Sequence, residues 1–196
     1  MDIPIFLDTR ALIFDIDGTL VDTLATHYRA SQIVCNANGF DFPIDFFYQY
    51  AGVPTVLVFK TLVAELGLNL DGETLAKEKE EKYLELIDEV QPLRPIYEIA
   101  VKYKYRMPIA LGTGGTREIA MRTLEAAGIA NEFPVIITSD DVKNGKPAPD
   151  TFLLCAERMG VAPQYCQVFE DGEAGIAAAH AAGMSVIDIR NYVQAS

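Results

Sequence analysis

The sequence predicts an α/β fold: a parallel sheet covered by helices, with a separate helical domain inserted after the first strand. Three observations predict it. Short apolar runs alternate with helical stretches through the second half of the chain. About eighty residues of helical pattern separate the first run from that alternating part. Residue types that carry chemistry follow directly after the runs, where open α/β sheets place their ligands. A length of 196 residues suits one domain, or one domain with a small insert.

Five runs read as buried strands: 11–14, 109–111, 135–137, 168–169 and 186–189. Each is too short for a helix and rich in β-branched or large apolar side chains. Helical stretches at 117–127, 150–159 and 173–182 separate the last four. Gly128, Gly160 and Gly183 follow them, where helix C-termini favour glycine. Strand alternating with helix makes the sheet parallel and covered on both faces. The first strand breaks the rhythm, because the helix leading into the second lies only at 96–105. Between them, 23–38 reads as a helix with Asp22 or Thr23 as its N-cap. A second helix at 55–66 is closed by Gly67, and a third, dense in Lys and Glu, covers 73–90. No strand run is evident in this segment. The expected division is a core of 1–23 and 93–196 and a helical domain of 24–92, with Pro92 and Pro95 at the re-entry point.

Composition narrows the function. With 28 Asp and Glu against 16 Lys and Arg, the net charge is −12. Nucleic-acid binders need the opposite excess to neutralise phosphates, so no nucleic-acid partner is expected. No stretch has the length of a membrane span, and the N-terminus lacks the pattern of a signal peptide, so no membrane association and a cytoplasmic location are expected. Cys35, Cys155 and Cys166 form no C-x-x-C pair, which argues against a disulfide framework or a zinc site. Cys35 and Cys155, in helical stretches, read as small buried hydrophobes.

The residues after each strand form the candidate site. Asp15-Ile-Asp17-Gly18-Thr19 follows the first, Gly112-Thr113-Gly114-Gly115 the second, Lys146-Pro-Ala-Pro the third, and Glu170-Asp171-Gly172 ends the fourth. Alone, each has an ordinary explanation. Asp17 and Asp22 suit turns or caps, Glu170-Asp171 suits a solvated strand end, and Lys146 suits the surface. The glycine cluster lacks the lysine of a P-loop. Jointly, they describe an oxygen-rich site with one cation.

This assembly resembles the haloacid dehalogenase superfamily, over nearly the whole chain. Within it, the branch of beta-phosphoglucomutases and small sugar-phosphate phosphatases is most similar. Ala148-Pro-Asp-Thr-Phe, Met159-Gly-Val and Phe169-Glu-Asp resemble the bacterial fructose-1-phosphate and 6-phosphogluconate phosphatases. The resemblance implies a Rossmann-like core with a helical cap domain, and a phosphatase acting on a small phosphorylated metabolite through an aspartyl-phosphate. Asp15 would be the nucleophile and Asp17 the general acid and base, its pKa held up by a neighbouring carboxylate. Mg²⁺ would be held by Asp15, Asp171, the carbonyl at Asp17, and Glu170 directly or through water. Lys146, Thr113, and the backbone of Gly18 and Gly114 would bind the phosphoryl group. In the cap, His27, Gly52 and Lys79 would face substrate. Otherwise Lys79 reads as a solvated cation among Glu73, Glu78 and Glu80, and His27 and His180 as structural residues.

Three other activities compete. A phosphomutase of this branch carries a Lys and an Arg where this chain has Ala51 and Thr55. Without those cations a second phosphate is poorly captured, which favours hydrolysis. Dehalogenation has no use for Asp17. A non-enzymatic receiver-like regulator would place its acceptor on a later strand and lack the helical insert.

Overall fold

Strand β1 (Ala11–Phe14) runs through the centre of a five-stranded parallel sheet, between β4 (Ile109–Gly112) and β6 (Cys166–Glu170). β5 (Ile136–Ile137) and β7 (Ser185–Asp188) form the edges, giving the order β5-β4-β1-β6-β7. The computed structural model describes residues 3–193. All four β1 residues are buried, as a continuous apolar central strand requires. Alternate side chains enter opposite layers. Leu12 and Phe14 pack with Ile96, Leu111 and Leu124 on one face. Ala11 and Ile13 pack with Phe152, Cys155 and Ala178 on the other.

The helices follow from the same pattern. α5 (Arg94–Tyr103), α6 (Arg117–Ala126), α7 (Asp150–Met159) and α8 (Glu173–Ala181) connect the strands. α7 ends at Gly160, whose φ of 68° supplies the left-handed residue that closes a helix. All three cysteines are free and buried, which for Cys35 and Cys155 is the small-hydrophobe reading.

The long gap is helical, with two additions. α1 (Leu24–Ala37), α3 (Thr55–Glu65) and α4 (Gly72–Leu86) occupy the three expected stretches. α2 (Ile44–Gln49) was not expected; its six residues are too few to display a helical period. β2 (Val21–Asp22) and β3 (Gln91–Pro92) pair antiparallel where the chain leaves and re-enters the core, so the expectation of no strand in this segment is corrected. Two-residue strands leave no sequence signal. Thr23 is the α1 N-cap residue, but its hydroxyl makes no cap bond and donates to Asp17 instead. The insert has its own apolar cluster, including Val34, Phe42, Phe46, Phe59, Leu62 and Leu75.

Candidate active site

The site forms where β1, β4 and β6 end side by side. Asp15 follows β1 directly, and its N–H donates to the Phe169 carbonyl at 3.0 Å. This continues the ladder and fixes the carboxylate at the sheet's C-terminal edge. Glu170 is the last residue of β6, and Asp171 follows. Lys146 reaches in from the loop before α7. Its Nζ lies 2.6 Å from Asp15 Oδ1 and 2.7 Å from Glu170 Oε1. Lys146 is 1% exposed, which removes its surface reading. Burial disfavours its charge, but the two carboxylates outweigh that and hold its pKa above the ordinary range.

The acids beside it are raised as well. Burial, reinforced by Glu170, Asp171 and Asp17 against the pull of Lys146, raises Asp15 well above the usual carboxylate range. Asp171 is pushed up to about 7 by burial and by Glu170, although Thr19 donates to its Oδ1 at 2.7 Å. Asp15, Glu170 and Asp171 can each present a ligand oxygen within 4.8 Å of the others. Three buried hard donors with an excess of negative charge fit a divalent cation such as Mg²⁺. Glu170 is the most committed of the three, because Lys146 donates to one oxygen and the Gly172 N–H to the other at 2.6 Å.

Glycines make this packing possible. Gly18 has φ +79°, and a Cβ there would collide with Asp171 Oδ2 and Leu24. Its own N–H donates to the Val21 carbonyl at 2.9 Å, which closes the turn. Gly18 serves the site by making room. Gly175 does the same and was not foreseen: a Cβ on it would overlap the Glu170 carboxylate. A glycine in an Ala-rich helix opening gives no sequence cue to what lies over it.

Asp17 lines the same cleft as Asp15. Its Oδ1 receives the Thr23 hydroxyl at 2.9 Å and lies 3.0 Å from His27 Nε2. Its Oδ2 lies 3.5 Å from the Thr113 hydroxyl. Burial pushes its pKa up, but His27, Thr23 and Lys79 together bring it below the ordinary value. The expectation that a neighbouring carboxylate holds it up is therefore corrected. Lys79 Nζ is 2.7 Å from His27 Nδ1. An ammonium can only donate, so Nδ1 accepts and Nε2 carries the proton given to Asp17. The His27 ring stacks on Tyr83 at 3.8 Å between centroids. Lys79 is only 5% exposed, so its reading as a solvated cation is overturned. His180, by contrast, is exposed and outside the site.

Gly52 lines the cleft, with φ +82°. Its loop rests on core loops at three glycines. A Cβ on Gly114 would collide with the Gly52 carbonyl, one on Gly172 would meet the Ala51 carbonyl at 2.7 Å, and one on Gly145 would meet Pro54 at 2.8 Å. The cleft beneath is lined by Asp15, Asp17, His27, Gly52, Lys79, Thr113 and Gly114 from the expected set. It also includes Thr55, which the sequence marked as standing where a mutase has a cation, and Glu80, whose place in the cleft the sequence did not reveal.

Comparison with known proteins bears on this geometry. A family profile described as haloacid dehalogenase-like hydrolase matches residues 12–189. The chain is 42% identical over 180 residues to fructose-1-phosphate phosphatase YqaB of Escherichia coli, covering 91% of this chain and 95% of that one. It is 34% identical over 182 residues to a phosphorylated carbohydrates phosphatase of Thermotoga maritima, covering 91% and 83%. The crystal structure of beta-phosphoglucomutase from Clostridium difficile superposes with a TM-score of 0.82 at 29% identity, covering 93% and 86%. The phosphatase names are consistent with the phosphoric monoester hydrolase expected from the sequence. No helix among the described residues is long and apolar enough to cross a membrane.

Proposed function

Since the chain belongs to the haloacid dehalogenase-like hydrolases, we propose that it hydrolyses a small sugar phosphate, of the fructose 1-phosphate or 6-phosphogluconate type, through an aspartyl-phosphate. The observation that carries this reading is the fully buried Lys146 bridging Asp15 and Glu170, with Asp171 alongside and Asp17 lining the same cleft. Residues 1–23 and 93–196 act as the phosphotransferase core, and 24–92 as the cap that closes over the substrate.

Asp15 attacks phosphorus; its oxygen–phosphorus bond forms as the bond to the sugar oxygen breaks. Lys146 and the Thr113 hydroxyl stabilise the transferring oxygens, with the Gly114 N–H assisting. Asp17 Oδ2 is the oxygen that handles protons, because Oδ1 already accepts from Thr23 and His27. In the resting site Asp17 is ionised. A phosphate dianion arriving beside it raises its pKa, so Asp17 takes up a proton from solvent as the substrate binds. Asp17 gives that proton to the departing sugar oxygen. It then takes one from water, whose oxygen displaces Asp15 from phosphorus and releases inorganic phosphate. A divalent cation such as Mg²⁺, held by Asp15, Asp171 and the Asp17 carbonyl with Glu170 beside them, would offset the repulsion between the phosphate and the attacking carboxylate.

Thr55 supports hydrolysis over phosphomutase activity. Where the mutases carry a cation, its hydroxyl donates to Glu80. The deciding experiment measures phosphate release from an aryl phosphate and a panel of sugar phosphates. Turnover is expected with Mg²⁺, loss in EDTA, and recovery on adding Mg²⁺ back. The cation should also raise the melting temperature, since it binds the folded acidic cluster. Full activity in EDTA, or no phosphate release from any ester with Mg²⁺, overturns the reading.

A further inference from the structure

The α4 side of the cleft holds an unmatched acceptor. Glu80 Oε1 receives the Thr55 hydroxyl and lies 3.4 Å from Lys79 Nζ. Its Oε2 is buried and has no partner. Buried polar atoms are almost always bonded, so a lone carboxylate oxygen on a residue that lines the cleft points to a donor that arrives with the ligand, as the side chain turns to meet it. An ionised carboxylate can only accept, so the complementary group is a donor, and on a sugar or polyol leaving group the donors are hydroxyls.

The charges along the same wall restrict the ligand further. Lys79 is the one Lys or Arg among the described residues lining the cleft. Its ammonium already has His27 Nδ1 at 2.7 Å and Glu80 at 3.4 Å. No unmatched cation therefore remains on this wall for a second anionic group, and Glu80 would repel one.

We infer that Glu80 determines specificity: its free oxygen accepts hydrogen bonds from hydroxyls of the leaving group, so the cleft takes neutral polyol phosphates and turns away those bearing a carboxylate. This rests on the proposed phosphatase reading and decides between the two substrate types it leaves open. A neutral ketose such as fructose offers only donors and weak acceptors to Glu80. Gluconate brings a like charge.

The test compares fructose 1-phosphate with 6-phosphogluconate in the full-length chain with Mg²⁺. The wild type should favour fructose 1-phosphate in kcat/KM by about tenfold or more, the worth of one charge-assisted contact. Glu80→Gln keeps the shape but loses the charge and one acceptor. It should compress that preference about tenfold, mainly by raising KM for fructose 1-phosphate. Thr55→Val, which frees Glu80 to move, should act in the same direction but less. Calorimetric binding of both esters to Asp15→Asn, with and without Glu80→Gln, supplies a readout that needs no turnover. The preference should appear there too, even if hydrolysis itself is not the chain's activity. A wild type that favours 6-phosphogluconate, a preference unchanged in folded Glu80→Gln, or no binding of either ester overturns the inference.

Discussion

On the sheet side of the cleft, Lys146 is enclosed between Asp15 and Glu170, and Glu170 has donors on both oxygens. On the helical side, Glu80 keeps a buried oxygen with no partner. Both sides are buried and charged, yet only one is closed upon itself. A phosphoryl group is the same in every substrate, so the residues meeting it can be held in one arrangement by strand ends and glycine-tight contacts. Leaving groups differ, and the wall that meets them keeps capacity for bonds that only a ligand completes. On the proposed reading, chemistry sits on the sheet side and selection on the insert. His27 and Lys79 belong to the insert but reach toward the sheet side, because His27 bonds Asp17 and Lys79 bonds His27.

The largest effect should come from the sheet side. Asp15→Asn leaves the burial and shape of the side chain but replaces the nucleophile with a poor one. Turnover of every phosphate ester should fall by ~10⁴-fold with the circular dichroism spectrum unchanged. A folded variant that still turns over at a tenth of the wild-type rate would move the chemistry away from β1, and the contrast between the two sides would lose its basis.

The same division explains what could be read in the sequence. β1 (Ala11–Phe14) and α7 (Asp150–Met159) have the extents expected from their residues. An uninterrupted apolar run and a helix bounded by Pro149 and Gly160 are local signals. The sheet-side site was legible for a related reason. In a parallel sheet, residues that follow strands converge at one edge, so linear order predicts proximity. The insert has no such rule. Lys79 lies in a run of Lys and Glu that resembles a solvated face. The cue was its spacing: Leu75, Lys79 and Tyr83 follow at i, i+4 and i+8, which places the lysine on the apolar stripe of α4. Burial of that stripe, visible only once the helices pack, turns Lys79 toward His27. Glu80 was legible only as a neighbour of Lys79, because its bond to Thr55 joins residues 25 positions apart.

Lys79→Met sharpens the comparison at intermediate size. The lysine fixes the His27 tautomer that donates to Asp17. Its loss should lower kcat about tenfold for aryl and sugar phosphates alike, the equivalent of one charge-assisted hydrogen bond. An effect confined to KM for sugar phosphates would make Lys79 a substrate contact and assign it wholly to selection. Equal kinetics on both substrates would leave it a buried structural cation. The split between kcat and KM therefore decides which side of the cleft this residue serves.

Tyr83 joins the two regions and should give the smallest effect. Its ring backs His27, while its hydroxyl lies 2.9 Å from the Thr123 hydroxyl on α6. Burial keeps the phenol protonated far above neutrality. Tyr83→Phe retains the stack and removes only the bond between α4 and the core, leaving the buried Thr123 hydroxyl without that partner. The variant should lose about 1–2 kcal/mol of stability in urea denaturation. Its kcat should fall by no more than a few-fold, because the ring still supports His27. A large fall in kcat with unchanged stability would mean that the anchor to α6, rather than the stack, sets the position of His27. Selection and chemistry would then be coupled through this one hydroxyl, instead of meeting only across the substrate.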